Sequence, residues 1–251
     1  MTYTTPVLRH SRSDRIIHWM NALLWLLLSA TGIALVDHPE LAVFGEAYPA
    51  FVRSLVGGGA TLLRLHITLG CLWAASFIIY AVVNGKGAAF FLRSVFTPQQ
   101  GDMTWLARKS IQMTFGVSAA KRLGMRLDLP PQGYYNAGQR ALAALIVLGC
   151  CAVAASGAVM ALAPSVSAAE HPVFVACVPW ALLVHHFSVG FIIAGLFIHI
   201  YMAAIAAEER PAFLSMLIGT VPAEYARNAH PLWIVAPGAG SQHTTAEGEA
   251  S

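Results

Sequence analysis

Apolar residues run almost unbroken through four stretches of this chain, at about Ile16–Val36, Leu62–Val83, Ala141–Ala163 and Pro179–Ala206. Each has the ~20 residues a helix needs to cross a hydrocarbon core of about 30 Å. The first is too long for a cleaved leader, and no small-residue cleavage site follows it, so it reads as a permanent span. The connections are unequal. An outer loop at about 37–61 mixes prolines, acids and the run GGG, and a second at about 164–178 is short. The connection from Asn84 to Arg140 is long enough for one or two helices lying on the membrane surface. Its segments AAFFLRSVF and TWLARKSIQMTF set aromatic anchors beside cations, as such helices do, although a loop resting on the headgroups fits the same letters. The tail after Trp233, ending GAGSQHTTAEGEAS, is small and polar and is expected to be disordered.

Composition agrees with this reading. Hydrophobic residues make up 57% of the 251 and charged residues 11%, with mean hydropathy +0.63, where a soluble domain carries about 25% charge. Four spans put both ends on one side of the membrane. That side collects 13 of the 15 lysines and arginines, while the other holds Arg53 and Arg64. Positive charge accumulates in the cytoplasm, so the termini and the long connection are expected there. The net charge of +3 reflects this belt. With no basic patch interleaved with aromatics, a nucleic-acid partner is not expected. Cys71, Cys150, Cys151 and Cys177 form no C-x-x-C, and three fall within spans, so neither a disulfide framework nor a thiolate metal site is indicated.

Ten histidines change the picture. His10, His38, His171, His230 and His243 fall outside the spans and read as surface residues. His18, His66, His185, His186 and His199 fall within them, where ionisable groups face the bundle interior and mark function. A lone histidine there serves either as a ligand or as a hydrogen-bonded packing residue; the set favours ligation. His185 and His199 are fourteen residues apart, which on a helix is about 21 Å of rise and a net rotation of about 40°. They share a face, one near each leaflet. His186 is turned about 100° from His185 and leaves that line. Depth then pairs His18 with His199 on the inner side and His66 with His185 on the outer side. Two imidazoles from facing helices are how a helical bundle holds haem iron. Small residues at Ala30, Gly32, Gly70, Gly190 and Gly195 leave room for a flat macrocycle, or simply let helices pack closely. Arg15 and Arg64, three and two residues before His18 and His66, suit haem propionates.

Other classes fit less well. A membrane metalloprotease or metal transporter also uses buried histidines, but no H-E-x-x-H occurs, and the four stretches contain no acid to act as base or carrier. A structural anchor without haem would leave the histidine pairs unexplained. Absorption separates the three, since only bis-histidine haem gives a Soret band.

RHSRSDRIIHWMNALLWLLLSATGIAL, LLRLHITLG, LLVHHFSVGFIIAGLFIHIYMA, GYYNAGQR and GTVPAEYARNAHPLW together resemble the cytochrome b (gamma) subunits of membrane-bound formate dehydrogenases, over roughly residues 8–233. The histidine spacing also suits cytochrome b subunits of nickel–iron hydrogenases and thiosulfate reductases; the Tyr-Asn-Ala-Gly-Gln run favours formate dehydrogenase. The resemblance implies an all-α membrane protein, a four-helix bundle with cytoplasmic termini, in the bacterial inner membrane. It implies two haems b on His18, His66, His185 and His199. Quinone contacts, with menaquinone or ubiquinone, fall on Asn136, Gly138 and Gln139; without the resemblance this run reads first as an ordinary helix cap by Asn136. It also implies partners: an iron–sulfur beta subunit and a molybdenum or tungsten catalytic alpha subunit. The first outer loop and the long connection exceed the family's usual lengths, and His186 is an added neighbour.

Overall fold

The computed structural model describes residues 5–36, 38, 40 and 43–235. In chain order the helices are α1 (Arg12–Leu35), α2 (Ala47–Val56), α3 (Gly59–Val83), α4 (Gly85–Phe96), α5 (Asp102–Phe115), α6 (Val117–Arg122), α7 (Ala137–Leu162), α8 (Pro172–Ala176), α9 (Val178–Ile200), α10 (Arg210–Ile218), α11 (Ala223–Ala229) and α12 (Pro231–Val235). Four segments are long and apolar enough to cross a membrane: Arg12–Leu35, Gly59–Val83, Ala137–Ser165 and Pro172–Ile205. They leave much apolar surface uncovered, as at Leu26, Val82 and Phe197. Lipid is the solvent that accepts such a surface.

The helices begin before the apolar runs do. Starting at Arg12, α1 brings Asp14 into the first turn of a span that the letters alone left free of acids. The carboxylate is held there by Tyr80 Oη at 2.6 Å and by Asn84 Nδ2 at 3.1 Å. The connection between the first two spans is not all loop either, since α2 occupies ten residues of it. That helix ends because Gly57 and Gly58 take φ of 86° and 112°, which side-chain-bearing residues rarely adopt. Both amphipathic segments of the long connection are helical, in α4 and α5. Of the expected tail from residue 234, the first two residues fall in α12; the rest, with His243, lies outside the described residues.

The chain divides into two compact units. One combines Ser13–Gly85 with Gly149–Ile192. Its core is Trp25, Trp73 and Ile192, with Leu24, Leu28, Cys150, Val153 and Val189 packed around them. Trp73 donates its indole N–H to Asn21 at 2.8 Å, so the buried ring leaves no polar atom unsatisfied. The other unit combines Met1–Arg12, Lys86–Leu148 and Ile193–Ser251. There a short antiparallel ladder pairs β1 (Val7–Leu8) with β2 (Thr220–Val221), and Val221, Ala226 and Trp233 form the core.

Candidate functional site

His66 on α3 and His185 on α9 meet in the first unit. Their ring centroids are 6.4 Å apart and the planes are inclined at 72°. Two imidazoles that each reach a shared metal through a nitrogen about 2 Å away have centroids about 6 Å apart, so the spacing fits one ion between them.

Hydrogen bonding fixes which nitrogens are available. The Thr31 hydroxyl lies 2.8 Å from the carbonyl of Leu27 and 2.8 Å from His66 Nδ1; donating to the carbonyl, it accepts from Nδ1. On α7 the Ser156 hydroxyl donates to Ala152 O at 2.6 Å and accepts from His185 Nδ1 at 3.1 Å. The carbonyl of Val153, an acceptor by nature, lies 3.2 Å from the same nitrogen. Both rings therefore carry the proton on Nδ1 and keep the Nε2 lone pair for a metal. Partners on the far nitrogen hold metal-binding imidazoles in one tautomer and orientation.

Glycines complete the seat. A Cβ at Gly32 would meet His66 Cε1 at 3.2 Å, and one at Gly157 would meet His185 Cε1 at 3.4 Å. Thr31-Gly32 and Ser156-Gly157 thus do the same work on two helices: the hydroxyl holds Nδ1 and the glycine gives the ring edge its space. Thr31, Ser156 and Gly157 were not singled out from the sequence. Their signal is a hydroxyl–glycine dipeptide in each of the two spans, α1 and α7, that supply neither His66 nor His185. Among the described residues no three of His, Cys, Asp and Glu gather into a metal cluster. A lone imidazole pair suits a metal whose other ligands come from a porphyrin.

The other singled-out residues have varied surroundings. His186 is exposed and turns its Nδ1 to the carbonyl of Leu182 on its own helix, at 3.0 Å. His18, on α1, stands edge-on to Trp19 at 5.2 Å. His199 lies one residue from the end of α9, where the helix widens into a π turn over Tyr201–Ile205. His18 and His199 belong to different units. Arg15 is half-buried and Arg64 exposed. The small residues also differ. A Cβ on Gly70 or Gly190 would meet open space, whereas Gly195 packs against Leu142, Leu145 and Ile146 and serves helix contact.

Asn136 and Gln139 form a reciprocal cap on α7. Asn136 Oδ1 accepts the Gln139 N–H at 2.9 Å, and Gln139 Oε1 accepts the Asn136 N–H at 3.1 Å. Gln132 Oε1 takes the N–H of Ala137 at 2.7 Å, so three orphan donors of the first turn are satisfied. Since both carboxamide oxygens accept backbone N–H groups, both NH₂ groups are left as donors. The ring over Gly138 is that of Trp105, which a Cβ there would meet at 3.2 Å. Close beside them Arg140, 4% exposed at its side chain, pairs with Asp102 and donates to the carbonyl of Tyr135.

Two residues read from the letters as surface or belt are interior. His230 is fully buried, with Nδ1 2.7 Å from the carbonyl of Gly133, and Arg9 is 3% exposed. Burial, with the Arg9 charge beside it, pushes the His230 imidazole down to about 4. The Tyr225 hydroxyl is pushed up from its ordinary value by burial and by Glu209, to which it donates at 2.7 Å.

A family model described as prokaryotic cytochrome b561 matches residues 9–219. The chain belongs to this family. Membership makes it a cytochrome b, with haem b as its prosthetic group and electron transfer as its work, in a bacterial membrane. Its curated relatives include the formate dehydrogenase cytochrome b556 subunit of Haemophilus influenzae, 23% identical over 229 residues that cover 91% of this chain and 82% of that protein. The formate dehydrogenase cytochrome b556(fdo) subunit of Escherichia coli K12 is 22% identical, covering 90% of this chain and 91% of that protein.

Proposed function

We propose that this cytochrome b561-family chain is the membrane subunit of a formate dehydrogenase, passing electrons from an iron–sulfur subunit through two haems b to quinone at the cytoplasmic side. The observation that carries the haem assignment is the His66–His185 pair, with both Nδ1–H groups committed to Thr31 and Ser156 and both Nε2 lone pairs left over. The second pair, His18 with His199, rests on matched depth in the spans. Haem b, when bound, supplies one-electron transfer. Thr31 and Ser156 hold the imidazoles in the ligating tautomer, Gly32 and Gly157 leave their edges room, and Arg15 and Arg64 are the cations assigned to propionates. The relatives named as formate dehydrogenase subunits support that donor over the hydrogenase or thiosulfate reductase alternatives. The catalytic molybdenum or tungsten centre belongs to a further subunit.

Quinone reduction is assigned to the cytoplasmic start of α7. The cap leaves the Asn136 and Gln139 NH₂ groups as donors to a quinone carbonyl oxygen. Two electrons from the iron–sulfur donor, delivered through the cytochrome, and two protons taken from the cytoplasm make the quinol, and the inward electron movement is electrogenic at about 2.3 kcal/mol per charge for each 100 mV. Asn136→Leu and Gln139→Leu are expected to slow reoxidation of the reduced cytochrome by quinone on the order of tenfold or more, while the absorption spectrum and reduction by the donor stay unchanged. Stopped-flow absorbance measures it. Reoxidation at the normal rate would leave this segment a helix cap alone.

A further inference from the structure

The four carbonyls that precede Asn136 are all taken, three of them by the two ends of the chain. Gln132 O accepts the N–H of Leu232 at 3.1 Å, Gly133 O accepts from His230 Nδ1 at 2.7 Å, and Tyr134 O lies 3.4 Å from Arg9 Nη2. Tyr135 O is held by Arg140. In return the Tyr134 hydroxyl donates to the backbone carbonyl of Arg9. The Arg9 guanidinium is enclosed by the rings of Tyr134, Tyr225 and Trp233, at 5.5, 5.9 and 5.8 Å from their centroids. Tyr225 is anchored in turn by Glu209. The main chain of Arg9 is fixed too, its N–H bonding Gly219 O at 2.8 Å next to the β1–β2 ladder.

A buried guanidinium is costly to desolvate, and as a clamp for a loop far along the chain it has no role in the haem seat. Three aromatic faces and a carbonyl suit a planar guanidinium better than the smaller, more strongly hydrated ammonium of lysine. What the clamp holds is the approach to α7, so it sets where the Asn136 and Gln139 amides stand. We propose that Arg9, with His230 and Tyr225, is a positioning residue for the quinone pocket: the chain ends clasp Gln132–Tyr135 and thereby aim the two carboxamides. This rests on the assignment of quinone to Asn136 and Gln139.

The test uses full-length, haem-containing protein, reduced with dithionite and mixed with decylubiquinone. Arg9→Lys is expected to raise the half-saturating concentration about tenfold with the maximal rate and absorption spectrum unchanged, since misplaced binding groups weaken binding. Two readouts independent of turnover follow the same change. Quenching of tryptophan fluorescence by decylubiquinone shifts to higher concentration, and amide hydrogen exchange over 132–139 speeds up. Faster exchange with unshifted half-saturation would overturn the proposal. Asn136→Leu, run in parallel, separates the two ideas. If it weakens quinone use and Arg9→Lys does not, the clasp alone fails; if neither does, the quinone assignment fails and the clasp with it. Should Arg9→Lys not fold, Tyr225→Phe loosens the same ring by one hydroxyl, and an unshifted half-saturation there overturns the proposal.

Discussion

His185→Ala is expected to remove one of two haems from each chain, and His186→Ala to remove none. The two histidines are adjacent and equally good ligands by chemistry, so the difference lies in helix phase and in what each ring nitrogen already does. His185 faces His66 at 6.4 Å between centroids, and its Nδ1 proton is taken by Ser156 and Val153. His186 is exposed, and its Nδ1 bonds a carbonyl of its own helix. If His185 holds haem iron, its removal deletes a metal–ligand bond and leaves His66 without its opposite number, so no milder substitution elsewhere should rival the effect. A pyridine haemochrome assay should read about two haems per chain in the native protein, about one in His185→Ala and about two in His186→Ala. The reverse order would show that the facing pair is not the ligand pair. Thr31→Val and Ser156→Ala should keep the haem with altered midpoint potential, since they change only the partner of Nδ1.

The spans, and the two helices whose His66 and His185 meet, were legible because their signals are local. An apolar run of about twenty residues needs no context, and the period of a helix is enough to separate His185 from His186. The helix starts were less legible. Asp14 could enter the first turn of α1 only because Tyr80 and Asn84 meet it there, and those partners lie 66 and 70 residues away. The same holds for Thr31 and Ser156, ordinary hydroxyls until a histidine from another helix arrives. Gly138 differs in kind. The letters show that a ring could come close to its backbone, and the ring found there is that of Trp105, from α5. His230 and Arg9 were misplaced for a related reason: polar residues beyond the last span and before the first look solvated until the chain ends are seen to pack on Tyr134. Sequence spacing reports what one element presents, and what covers it comes from elsewhere in the chain.

The burial of His230 should make the protein acid-labile in a defined window. In the folded chain its imidazole is held down to about 4, chiefly by burial and further by Arg9, against an ordinary value of 6.5. Nδ1 already serves the carbonyl of Gly133, and Nε2 is sealed with no partner among the described residues, so a second proton would be a buried, unpaired charge next to a guanidinium. Above pH 6.5 neither the folded nor the unfolded form binds that proton, and this residue adds no slope. As pH falls from 6.5 toward 4, the unfolded chain takes the proton and the folded chain does not, so stability falls; below 4 both bind it and the slope ends. The accumulated loss is about 3 kcal/mol. Other groups also titrate in that range, so the comparison must be with His230→Gln, whose side-chain NH₂ can still donate to Gly133 O and cannot be protonated. Thermal unfolding in detergent, followed by tryptophan fluorescence, should show the native protein losing more stability than the variant between pH 6.5 and 4. Parallel curves would mean that His230 takes up its proton without leaving the fold, and that the interior around Arg9 tolerates a second positive charge.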